Sequence, residues 1–497
     1  MTEEVVEPVI RIDHRGPLHG TVRVPGAKNS VLKLMAATVL ADGEFNLDNV
    51  PEIVDVDIMS DLLRSIGSQV DTGSDGSLRI THSGELSTSV PADLAGRMRA
   101  SINLLGPLVS RVGKIEIALP GGDDFGLRPI DMHIAGLEAM GATCTFTDGV
   151  LTVNAPRLVG ADIRFSFPSV GATENLVTAA VCADGVTTID GAAREPEVAD
   201  LCRFLVAMGA HIEGIGESTL RITGVPHGAL HSASHRVVPD RIQAATYIAS
   251  VAVAGGEVDM IDAQRNDMQM FLHRCTEMGL VFTDLDGIGV RVTAPQRLRS
   301  VDVQTLPYPG VATDYKPLVI AMLSVADGSA VVTENLYPGR FRYVDELQAL
   351  GANIKMHEHH AEITGVQRLS GASVTAHDIR AGAALVVAGL AADGVTTISG
   401  VGHIDRGYDD LVGRLREIGV GITRRGCPAS TLVFGCRSLD TPLHEGKQCN
   451  DDHDRTCDEQ DFIPTALMCE QVGMLGVRTD HGSSVGDVLS VRIARRG

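Results

Sequence analysis

The chain has 497 residues, a formal net charge of −21 at pH 7 and 44% hydrophobic residues. That length exceeds what one hydrophobic core normally serves, so we expect two domains, with three as the alternative. The acidic balance argues against a nucleic-acid-binding protein, which would need a basic face. Small anionic substrates stay compatible with it, because a few Arg and Lys side chains in a cleft can outweigh a distant acidic surface.

No apolar run in the sequence approaches the roughly 20 residues of a membrane-spanning helix. The first residues, MTEEVVEPVI, lack the basic end and the apolar core of a signal peptide. The cysteines that precede residue 425 lie scattered within apolar segments, at Cys144, Cys182, Cys202 and Cys275. We therefore predict reduced core cysteines in a cytoplasmic protein that does not associate with a membrane.

Six segments share one plan: a helix of small residues, a turn with Gly, a short apolar strand, a variable loop and a second helix that ends at Gly. The turn glycines lie about 70, 72, 71, 72 and 66 residues apart, at Gly43, Gly113, Gly185, Gly256, Gly328 and Gly394. The second helices end where a left-handed residue suits a C-cap, at Gly67, Gly141, Gly209, Gly279, Gly351 and Gly419. This regularity predicts six copies of one folding unit, three in each of two domains.

Each unit opens on a helix that is nearly all apolar after its first turn, which predicts burial inside a domain. In chain order these helices are predicted at 26–40, 96–110, 169–182, 239–253, 310–323 and 378–392. Three polar residues are suited to cap them, namely Ser169, Asp240 and Asp314. Basic residues also stand at their N-terminal ends, where a cation opposes the helix dipole: Lys28, Arg97, Arg99, Arg241 and Arg380. A bound anion, held by these side chains and free backbone N–H groups, would compensate for that placement.

Ten motifs now make the chain recognisable, in this order: GAKNSVLKL (26–34), MRASINLLGPL (98–108), LPGGDDFGLRPIDMH (119–133), PSVGATEN (168–175), AAREPEV (192–198), VVPDRI (237–242), TDYKP (313–317), GRFRYV (339–344), DIRAGAALV (378–386) and HIDRGYDDL (403–411). Together they resemble the enolpyruvyl transferases, in particular the members that act on UDP-N-acetylglucosamine. The resemblance covers about residues 10–424, and the ordered set is far more specific than any single motif.

The resemblance implies an α/β fold: a two-domain inside-out α/β barrel built from six βαβαββ-type repeats, three per domain, followed by a C-terminal extension. One domain would span 28–236 and carry a mobile lid loop at 120–129. The first strand of this family crosses to the other domain, so the second domain would combine 1–27 with 237–424. The extension, 425–497, has no counterpart in the resemblance.

The implied reaction transfers the enolpyruvyl group of phosphoenolpyruvate to the 3-hydroxyl of UDP-N-acetylglucosamine and releases phosphate, the first committed step of peptidoglycan synthesis. It needs no cofactor and no metal. The expected partners are these two small substrates, with no nucleic acid and no membrane, and the expected assembly is a monomer or weak oligomer. Alternatives are enolpyruvyl transfer to a uridine nucleotide such as UMP in nucleoside-antibiotic biosynthesis, a non-catalytic binding protein on the same scaffold, and a shikimate-pathway relative, which RPIDMH and PSVGATEN disfavour.

By match to the family motifs, the cations expected around phosphoenolpyruvate are Lys28, Arg128, Arg340, Arg380 and Arg406, with Arg99 near both substrates. Arginine suits this role because its planar fork binds oxyanions bidentately. The residues expected at the sugar nucleotide are Asn29, Arg128, Pro129, Ile130, Asp131, His133, Ser169, Val170, Gly171 and Asp314. Asp314 would orient, and could deprotonate, the attacking hydroxyl, with a helix cap as its alternative or additional role. Lys28 and Arg406 are expected to act in catalysis, His403 to help position groups at the cleft, and Arg194, Glu195 and Glu197 to be structural.

The lid loop reads PGGDDFGLRP (120–129). Many family members carry Cys after PGG, which adds to phosphoenolpyruvate and helps to protonate it, whereas this chain carries Asp123. A free Asp with a pKa near 3.9 is ionised at neutral pH. We predict that Asp123 is the general acid and that Asp124 is not. This role requires a pKa of Asp123 raised by burial or by the substrate's negative charges, while Arg128 would oppose that change. Without the lid thiol, the protein is predicted to resist fosfomycin, which alkylates that thiol.

The extension contains five cysteines and the acidic stretch CNDDHDRTCDEQD (449–461). A poorly ordered appendage is the favoured interpretation. The alternative is a metal site at Cys449, His453 and Cys457, which would share one helix face.

Overall fold

The structure is a computed structural model and describes residues 7–73, 76–123, 126 and 128–426. The expectations for the extension beyond Gly426, including the cysteine and histidine cluster, lie outside the described residues, as does Asp124. No helix in the described part of the chain is both long and apolar enough to cross a lipid bilayer.

The buried apolar side chains form two separate clusters. One draws on residues 31–237, and we call this part the first lobe. The other draws on residues 10–24 together with 242–422, and we call it the second lobe. Both cores consist mostly of Ala, Val, Leu and Ile. The ranges of the two clusters show that the chain passes from one lobe to the other near residues 27 and 237.

The helices begin where apolar runs follow a polar or basic turn, and many of them are buried along most of their length. They are α1 (Lys28–Ala37), α2 (Val54–Ser65), α3 (Ala92–Ala95), α4 (Leu105–Val112), α5 (Asp131–Ala139), α6 (Val170–Ala180), α7 (Pro196–Ala207), α8 (Arg241–Ala254), α9 (Gln269–Met278), α10 (Lys316–Leu323), α11 (Val344–Ala349), α12 (Ile379–Leu390), α13 (Val401–Asp405) and α14 (Leu411–Glu417). Short 3₁₀ helices occupy Thr38–Leu40, Arg99–Leu104 and Arg265–Met268.

The strands are short, and most alternate buried with more exposed residues. They are β1 (Val9–Ile12), β2 (Leu18–Arg23), β3 (Gly43–Asp48), β4 (Gln69–Thr72), β5 (Leu78–His82), β6 (Lys114–Ala118), β7 (Thr143–Thr147), β8 (Val150–Asn154), β9 (Asp162–Arg164), β10 (Val186–Asp190), β11 (His211–Glu213), β12 (Thr219–Thr223), β13 (Ser234–Arg236), β14 (Gly256–Ile261), β15 (Val281–Asp284), β16 (Gly289–Thr293), β17 (Val303–Gln304), β18 (Ser329–Thr333), β19 (Asn353–His357), β20 (His360–Thr364), β21 (Leu369–Ser370), β22 (Ser373–Thr375), β23 (Ala392–Asp393), β24 (Thr396–Ser399) and β25 (Ile422–Arg425).

Six sheets of the described residues share a plan in which one strand pairs with an antiparallel pair of strands on one side and with a parallel strand on the other. In the first lobe the orders are β13-β3-β5-β4, β6-β8-β7 and β11-β12-β10-β9, and a single parallel bridge from Ser89 to Glu116 flanks β6. In the second lobe they are β15-β16-β14-β2, β17-β18-β20-β19 and β22-β24-β1-β25, with the small pair β21-β23. The N-terminal strands β1 and β2 both join second-lobe sheets, since β1 pairs with β24 and β25, and β2 pairs with β14.

The predicted glycine turns are confirmed: all twelve glycines have positive φ. The predicted helix at 96–110 is wrong in its first part, because residues 99–104 form a 3₁₀ helix and α4 starts only at Leu105. Pro107 lies in the first turn of α4, and a proline ring clashes with the turn that precedes it in an α-helix. The helix predicted at 310–323 starts later too, at Lys316, with Pro317 in its first turn, where proline is favoured.

Buried helices of each lobe pack side by side: α1 contacts α7 and α4 contacts α6, while α12 contacts both α8 and α10. The first residues of α1 and α12, together with the loop between β6 and α5, meet at the boundary of the two lobes. This meeting point holds most of the cations that the motifs single out.

Candidate active site

A buried ion cluster joins the lobes at the start of α1. Lys28 Nζ lies 2.8 Å from Asp55 Oδ2, and Asp55 belongs to the first turn of α2. Arg406, which follows α13 in the second lobe, donates from Nε to Asp55 Oδ1 at 2.9 Å and from Nη2 to Asp55 Oδ2 at 3.3 Å. Burial lowers the pKa of Lys28, and Asp55 counteracts this effect. One carboxylate thus holds the two cations that were expected to act in catalysis.

The lid loop reaches the second lobe through Asp123. Its Oδ1 accepts a hydrogen bond from Arg406 Nη1 at 2.7 Å, and its Oδ2 accepts one from the backbone N–H of Ile379 at 3.4 Å. His403 Nδ1 lies 3.6 Å from Oδ1. Only 8% of the Asp123 side chain is exposed. The lid carboxylate therefore contacts both Arg406 and the first turn of α12.

The backbone of the lid is held from the first lobe. Arg128 Nη2 donates to the backbone oxygen of Asp123 at 2.8 Å, so this arginine binds the lid's main chain. A side chain on Gly121 would come within 1.7 Å of the carbonyl oxygen of Gly96, so only glycine fits that close approach. The loop packs against Gly96 at Gly121, and Arg128 binds its backbone at Asp123.

The protein's own groups lower the pKa of Asp123, so the raised pKa that a general acid needs stays a prediction for the complex with substrate. Burial favours a higher pKa, but the nearby His403 and the charges of Arg406 and Lys28 outweigh it and lower the pKa to about 2. Asp123 is therefore a carboxylate at neutral pH while these groups surround it. A proton donor must first lose these cations as partners.

Asp314 lies among the second-lobe arginines. Arg340 Nη1 donates to its Oδ1 at 2.6 Å, and Arg380 Nε lies 3.4 Å from its Oδ2. Burial would raise the pKa of Asp314, but the charges of Arg340 and Arg380, the hydrogen bond from Arg340 and the charge of Arg241 together lower it. The cap role expected for Asp314 is wrong: α10 begins two residues later, and no side chain caps it. The caps expected of Ser169 and Asp240 are confirmed, since Ser169 accepts from Ala172 N and Asp240 from the N–H groups at 242 and 243.

A fully buried ion pair supports this part of the site. Lys316 Nζ lies 3.0 Å from Glu334 Oε2, and neither side chain has any exposed surface. Lys316 also donates to the backbone oxygen of Arg340 and sits 3.6 Å from the ring centre of Phe341. Glu334 accepts from the hydroxyls of Thr305 and Thr313. This pair fixes the segment that presents Arg340 to Asp314.

On the first-lobe side, Arg99 Nη2 donates to the carbonyl of Arg128 at 2.6 Å and lies 3.5 Å from that of Pro129. His133, near the start of α5, is buried, and burial lowers its pKa to about 4, with the charge of Arg99 adding to this. Asn175 Nδ2 donates to His133 Nδ1 at 3.0 Å, which leaves Nε2–H of the neutral ring as a donor.

The remaining residues expected at the sugar nucleotide lie on neighbouring helix starts. A side chain on Gly171 would meet His133 Nε2 at 3.3 Å, so the start of α6 lies against His133. Asn29 is in the first turn of α1. Of the others, Asp131 begins α5 and Ile130 precedes it, while Ser169 caps α6 and Val170 begins it.

A second buried carboxylate links α6 to α1. Glu174 Oε1 lies 3.8 Å from Lys33 Nζ, and Asn103 Nδ2 donates to Glu174 Oε2 at 3.1 Å. Lys33 in turn donates to the backbone oxygen of Asn29 at 2.6 Å. Burial raises the pKa of Glu174 to about 7. These contacts connect α6 to the first turn of α1 and so position Asn29.

The lobes are also joined away from the lid. Arg241 Nε of α8 donates to Glu197 Oε1 of α7 at 2.9 Å, and both side chains are buried. Arg241 further donates to the hydroxyl of Tyr315 at 3.2 Å. This bridge agrees with the structural role expected for Glu197.

The sequence analysis did not identify Asp55 or the Lys316–Glu334 pair. Asp55 stands in the first turn of a helix, where an acid is ordinary because it favours the dipole, so its position carried no signal. Lys316 lies in the TDYKP motif, but nothing in the sequence shows that it is buried against a carboxylate 18 positions later.

Within the described ranges, no group of three or more His, Cys, Asp and Glu side chains is arranged to hold a metal ion. The cysteines at 144, 182, 202 and 275 are free thiols, and burial raises the pKa of Cys202 to about 12.

The chain matches the family of EPSP synthase (3-phosphoshikimate 1-carboxyvinyltransferase) over residues 12–415. The UDP-N-acetylglucosamine 1-carboxyvinyltransferase of Mycobacterium tuberculosis (strain CDC 1551 / Oshkosh) is 47% identical over 410 residues, 82% of this chain and 97% of the relative. The UDP-N-acetylglucosamine 1-carboxyvinyltransferase 1 of Caldanaerobacter subterraneus subsp. tengcongensis is 42% identical over 414 residues, 83% of this chain and 99% of the relative.

Two solved structures share the fold. The enolpyruvyl transferase NikO from Streptomyces tendae superimposes with a TM-score of 0.77 and 27% identity, covering 85% of this chain and 100% of NikO. An EPSP synthase from Acinetobacter baumannii gives a TM-score of 0.68 and 19% identity over 84% of this chain and 99% of that one, a likeness of fold alone.

Proposed function

This chain belongs to the enolpyruvyl transferase family and is an enzyme of that family, and on that premise we propose its substrates and the roles of its residues. It transfers the enolpyruvyl group of phosphoenolpyruvate to the 3-hydroxyl of UDP-N-acetylglucosamine, with release of phosphate, as the first committed step of peptidoglycan synthesis. Relatives that are 42–47% identical over nearly their whole length carry the corresponding name.

One observation supports this chemistry most directly: two carboxylates flank the first turn of α12. Asp123 accepts from the N–H of Ile379, and Asp314 lies 3.4 Å from Nε of the next residue, Arg380. A substrate bound between them has an acid on one side and a hydroxyl-orienting carboxylate on the other. This is the arrangement that protonation of a methylene carbon and attack by a hydroxyl require.

The cations supply sites for the two anionic groups of phosphoenolpyruvate. Lys28 and Arg406 form one set beside the lid, and Arg340 and Arg380 form a second set beside Asp314. Charge-assisted hydrogen bonds from such groups to phosphate and carboxylate are the strong ones in proteins. We assign Arg128 and Arg99 to the same cleft, because Arg128 binds the backbone of the lid and Arg99 binds the backbone of Arg128.

Asp314 orients the 3-hydroxyl of the sugar by accepting its hydrogen bond. A carboxylate whose pKa is lowered by Arg340 and Arg380 is a weak base, so orientation is its main role until substrate anions share those arginines. The sugar nucleotide then binds on the side of the cleft that carries the neutral His133. This side comprises Asn29, residues 128–133 and residues 169–171.

Asp123 is the general acid that protonates phosphoenolpyruvate in place of the lid thiol. The low pKa of Asp123 comes largely from cations that, in this proposal, also bind the substrate. Neutralisation of those cations by the substrate, together with burial, raises the pKa toward neutrality. The absence of a lid thiol leads us to propose resistance to fosfomycin.

The fold fits the proposed division into inside-out barrels of three repeats each. The described sheets with a central strand number three in each lobe, and the lobes divide near 27 and 237. We therefore propose domains at 28–236 and at 1–27 with 237–424. Separate expression of 28–236 tests this division, since a folded fragment with cooperative melting is expected.

The experiment that tests the reaction measures phosphate release from phosphoenolpyruvate, with UDP-N-acetylglucosamine and with UMP as separate acceptors. Release with the sugar nucleotide alone is the expected result. Release with UMP alone would establish the alternative acceptor. We include this acceptor because NikO, which shares the fold, is also an enolpyruvyl transferase. No release with either acceptor would contradict the proposed reaction.

The role of Asp123 is tested on the same assay with two variants. Asp123→Asn lacks an ionisable proton and should lose turnover by at least about a hundredfold, the usual contribution of a general acid. Asp123→Cys should retain turnover and become irreversibly inactivated by fosfomycin, while the wild type stays active. Near-normal turnover of Asp123→Asn, or inactivation of the wild type with an adduct on Asp123, would contradict the assignment.

A further inference from the structure

The side chain of Asp240 binds the first N–H groups of two helices that belong to different lobes. Its Oδ1 caps α8 of the second lobe by accepting from the N–H of Ile242 at 2.8 Å and from that of Gln243 at 3.1 Å. Its Oδ2 accepts from the N–H of Lys28, the first residue of α1 in the first lobe, at 3.3 Å. Asp240 is 2% exposed. One buried carboxylate is therefore shared by two helix starts.

The helix α1 has no capping side chain of its own. Its N-cap residue is Ala27, whose methyl group cannot accept a hydrogen bond, and the N–H groups of Ser30 and Val31 turn back to the Ala27 carbonyl at 3.0 Å and 2.9 Å. Lys28 also places a cation at the positive end of the helix dipole. The Asp240 carboxylate is an anion that the protein itself supplies at this end.

The two chain segments that cross between the lobes hold Asp240 in this position. The N–H of Ala27 donates to the carbonyl of Val238 at 2.7 Å, and the N–H of Asp240 donates to the carbonyl of Pro25 at 2.8 Å. The two segments are thus hydrogen-bonded to each other beside the first residue of α1. The Asp240 side chain is presented to α1 by the backbone of the crossing itself.

The rest of the first turn of α1 is fixed within the first lobe. Ser30 Oγ donates to Asp200 Oδ2 of α7 at 2.5 Å, and both residues are buried. The backbone oxygen of Asn29 accepts from Lys33 Nζ at 2.6 Å. Lys28 differs from these two residues, because its N–H is bound by a carboxylate at the start of a second-lobe helix.

We propose that Asp240 is a positioning residue for the reaction: its Oδ2 fixes the backbone of Lys28 and so places the Lys28 ammonium for phosphoenolpyruvate. This inference rests on the proposed function and adds to it a residue that acts through Lys28. The ammonium lies 2.8 Å from Asp55 Oδ2, so Lys28 is held at both its ends by carboxylates. Small displacements of a group that binds the reacting molecule are costly to catalysis.

Two variants separate this role from the cap of α8. Asp240→Asn keeps an oxygen for α8, but its amide group turns an N–H toward the N–H of Lys28. Asp240→Ser keeps a favourable cap residue and has no second oxygen. Burial raises the pKa of Asp240, so loss of its charge should not by itself lower stability. Asp410→Asn is the matched control, because Asp410 is exposed and caps α14 by accepting from the N–H of Gly413 at 3.0 Å.

Phosphate release, amide hydrogen exchange and thermal melting are measured on the full-length proteins. For Asp240→Asn and Asp240→Ser we expect kcat/KM for phosphoenolpyruvate to fall at least about tenfold, while the KM for UDP-N-acetylglucosamine stays within about twofold of the wild type. The substrates separate because Asn29 remains bound within the first lobe. The amide of Lys28 should exchange faster and those at 242 and 243 should keep their protection, and Asp410→Asn should match the wild type throughout.

Unchanged kcat/KM for phosphoenolpyruvate in both folded variants would overturn the positioning role and leave the proposed function intact. Equal losses for both substrates, or loss of folding in both variants, would overturn it as well, because Asp240 would then serve the fold alone. Absence of phosphate release by the wild type and by Asp410→Asn would contradict the proposed function and the positioning role with it.

Discussion

Asp55 is the carboxylate on which the ion cluster between the lobes depends, and Asp55→Asn is the substitution that measures its contribution. The residue is 2% exposed and makes contacts of 2.8 Å, 2.9 Å and 3.3 Å to Lys28 and Arg406. Asparagine keeps the volume and one acceptor oxygen but removes the charge. Two buried cations are then left without their shared partner.

Removing one member of a buried ion pair costs about 3–5 kcal/mol, and the retained acceptor places this variant near 3 kcal/mol. For a lobe of roughly 200 residues, that loss lowers the melting temperature by about 6–12 °C. The pKa of Lys28, already lowered by burial, should fall further without Asp55. Since Arg406 also loses the partner that orients its fork, kcat/KM for phosphoenolpyruvate should fall by more than about tenfold, the equivalent of 1.4 kcal/mol.

Calorimetric melting of the full-length protein and the phosphate-release assay measure the two effects. Asp57→Asn is the matched control, because Asp57 lies two positions along the same first turn of α2. Burial and the neighbouring Asp61 raise the pKa of Asp57, so loss of its charge should leave stability unchanged or slightly higher. If Asp55→Asn melts at the same temperature as Asp57→Asn and keeps its kcat/KM, the ion cluster contributes neither the stability nor the substrate binding that its geometry indicates.

Two further predictions concern buried groups that flank the site. Lys316→Met leaves Glu334 buried without its cation and should lower the free energy of unfolding by about 3–5 kcal/mol. Adding Glu334→Gln to this variant should recover part of that loss. If Lys316→Met alone melts at the wild-type temperature, the buried pair does not stabilise the protein. Glu174 has a pKa raised from 4.5 to about 7 by burial, so the unfolded chain releases its proton first and folding stability should decline as the pH rises from about 4.5 to about 7. Glu174→Gln should flatten that decline in urea unfolding between about pH 5 and pH 8, whereas parallel curves for variant and wild type would refute the assigned pKa shift.

Features that depend on the local backbone could be predicted from the sequence. The positive φ of the twelve glycines and the caps at Ser169 and Asp240 follow from short-range sterics and hydrogen bonding. The cations at helix starts also pointed to an anion site, because a charge opposed to a helix dipole needs compensation within the same turn. Even the error at 96–110 is local, since it follows from the position of Pro107 in α4.

The tertiary structure alone decided which charges meet. Arg406 reaches Asp55 across 351 positions of the chain and Asp123 across 283, and no periodicity or motif encodes such pairings. The direction of the shift in the Asp123 pKa follows from these pairings, because burial and four nearby positive or donating groups act on it together. For the same reason Asp314 became a partner of Arg340 and Arg380 rather than a cap. Local structure depends on residues that are neighbours in the sequence, so it can be predicted from the sequence. The electrostatics of the site depends on groups that only folding brings within a few ångströms of each other.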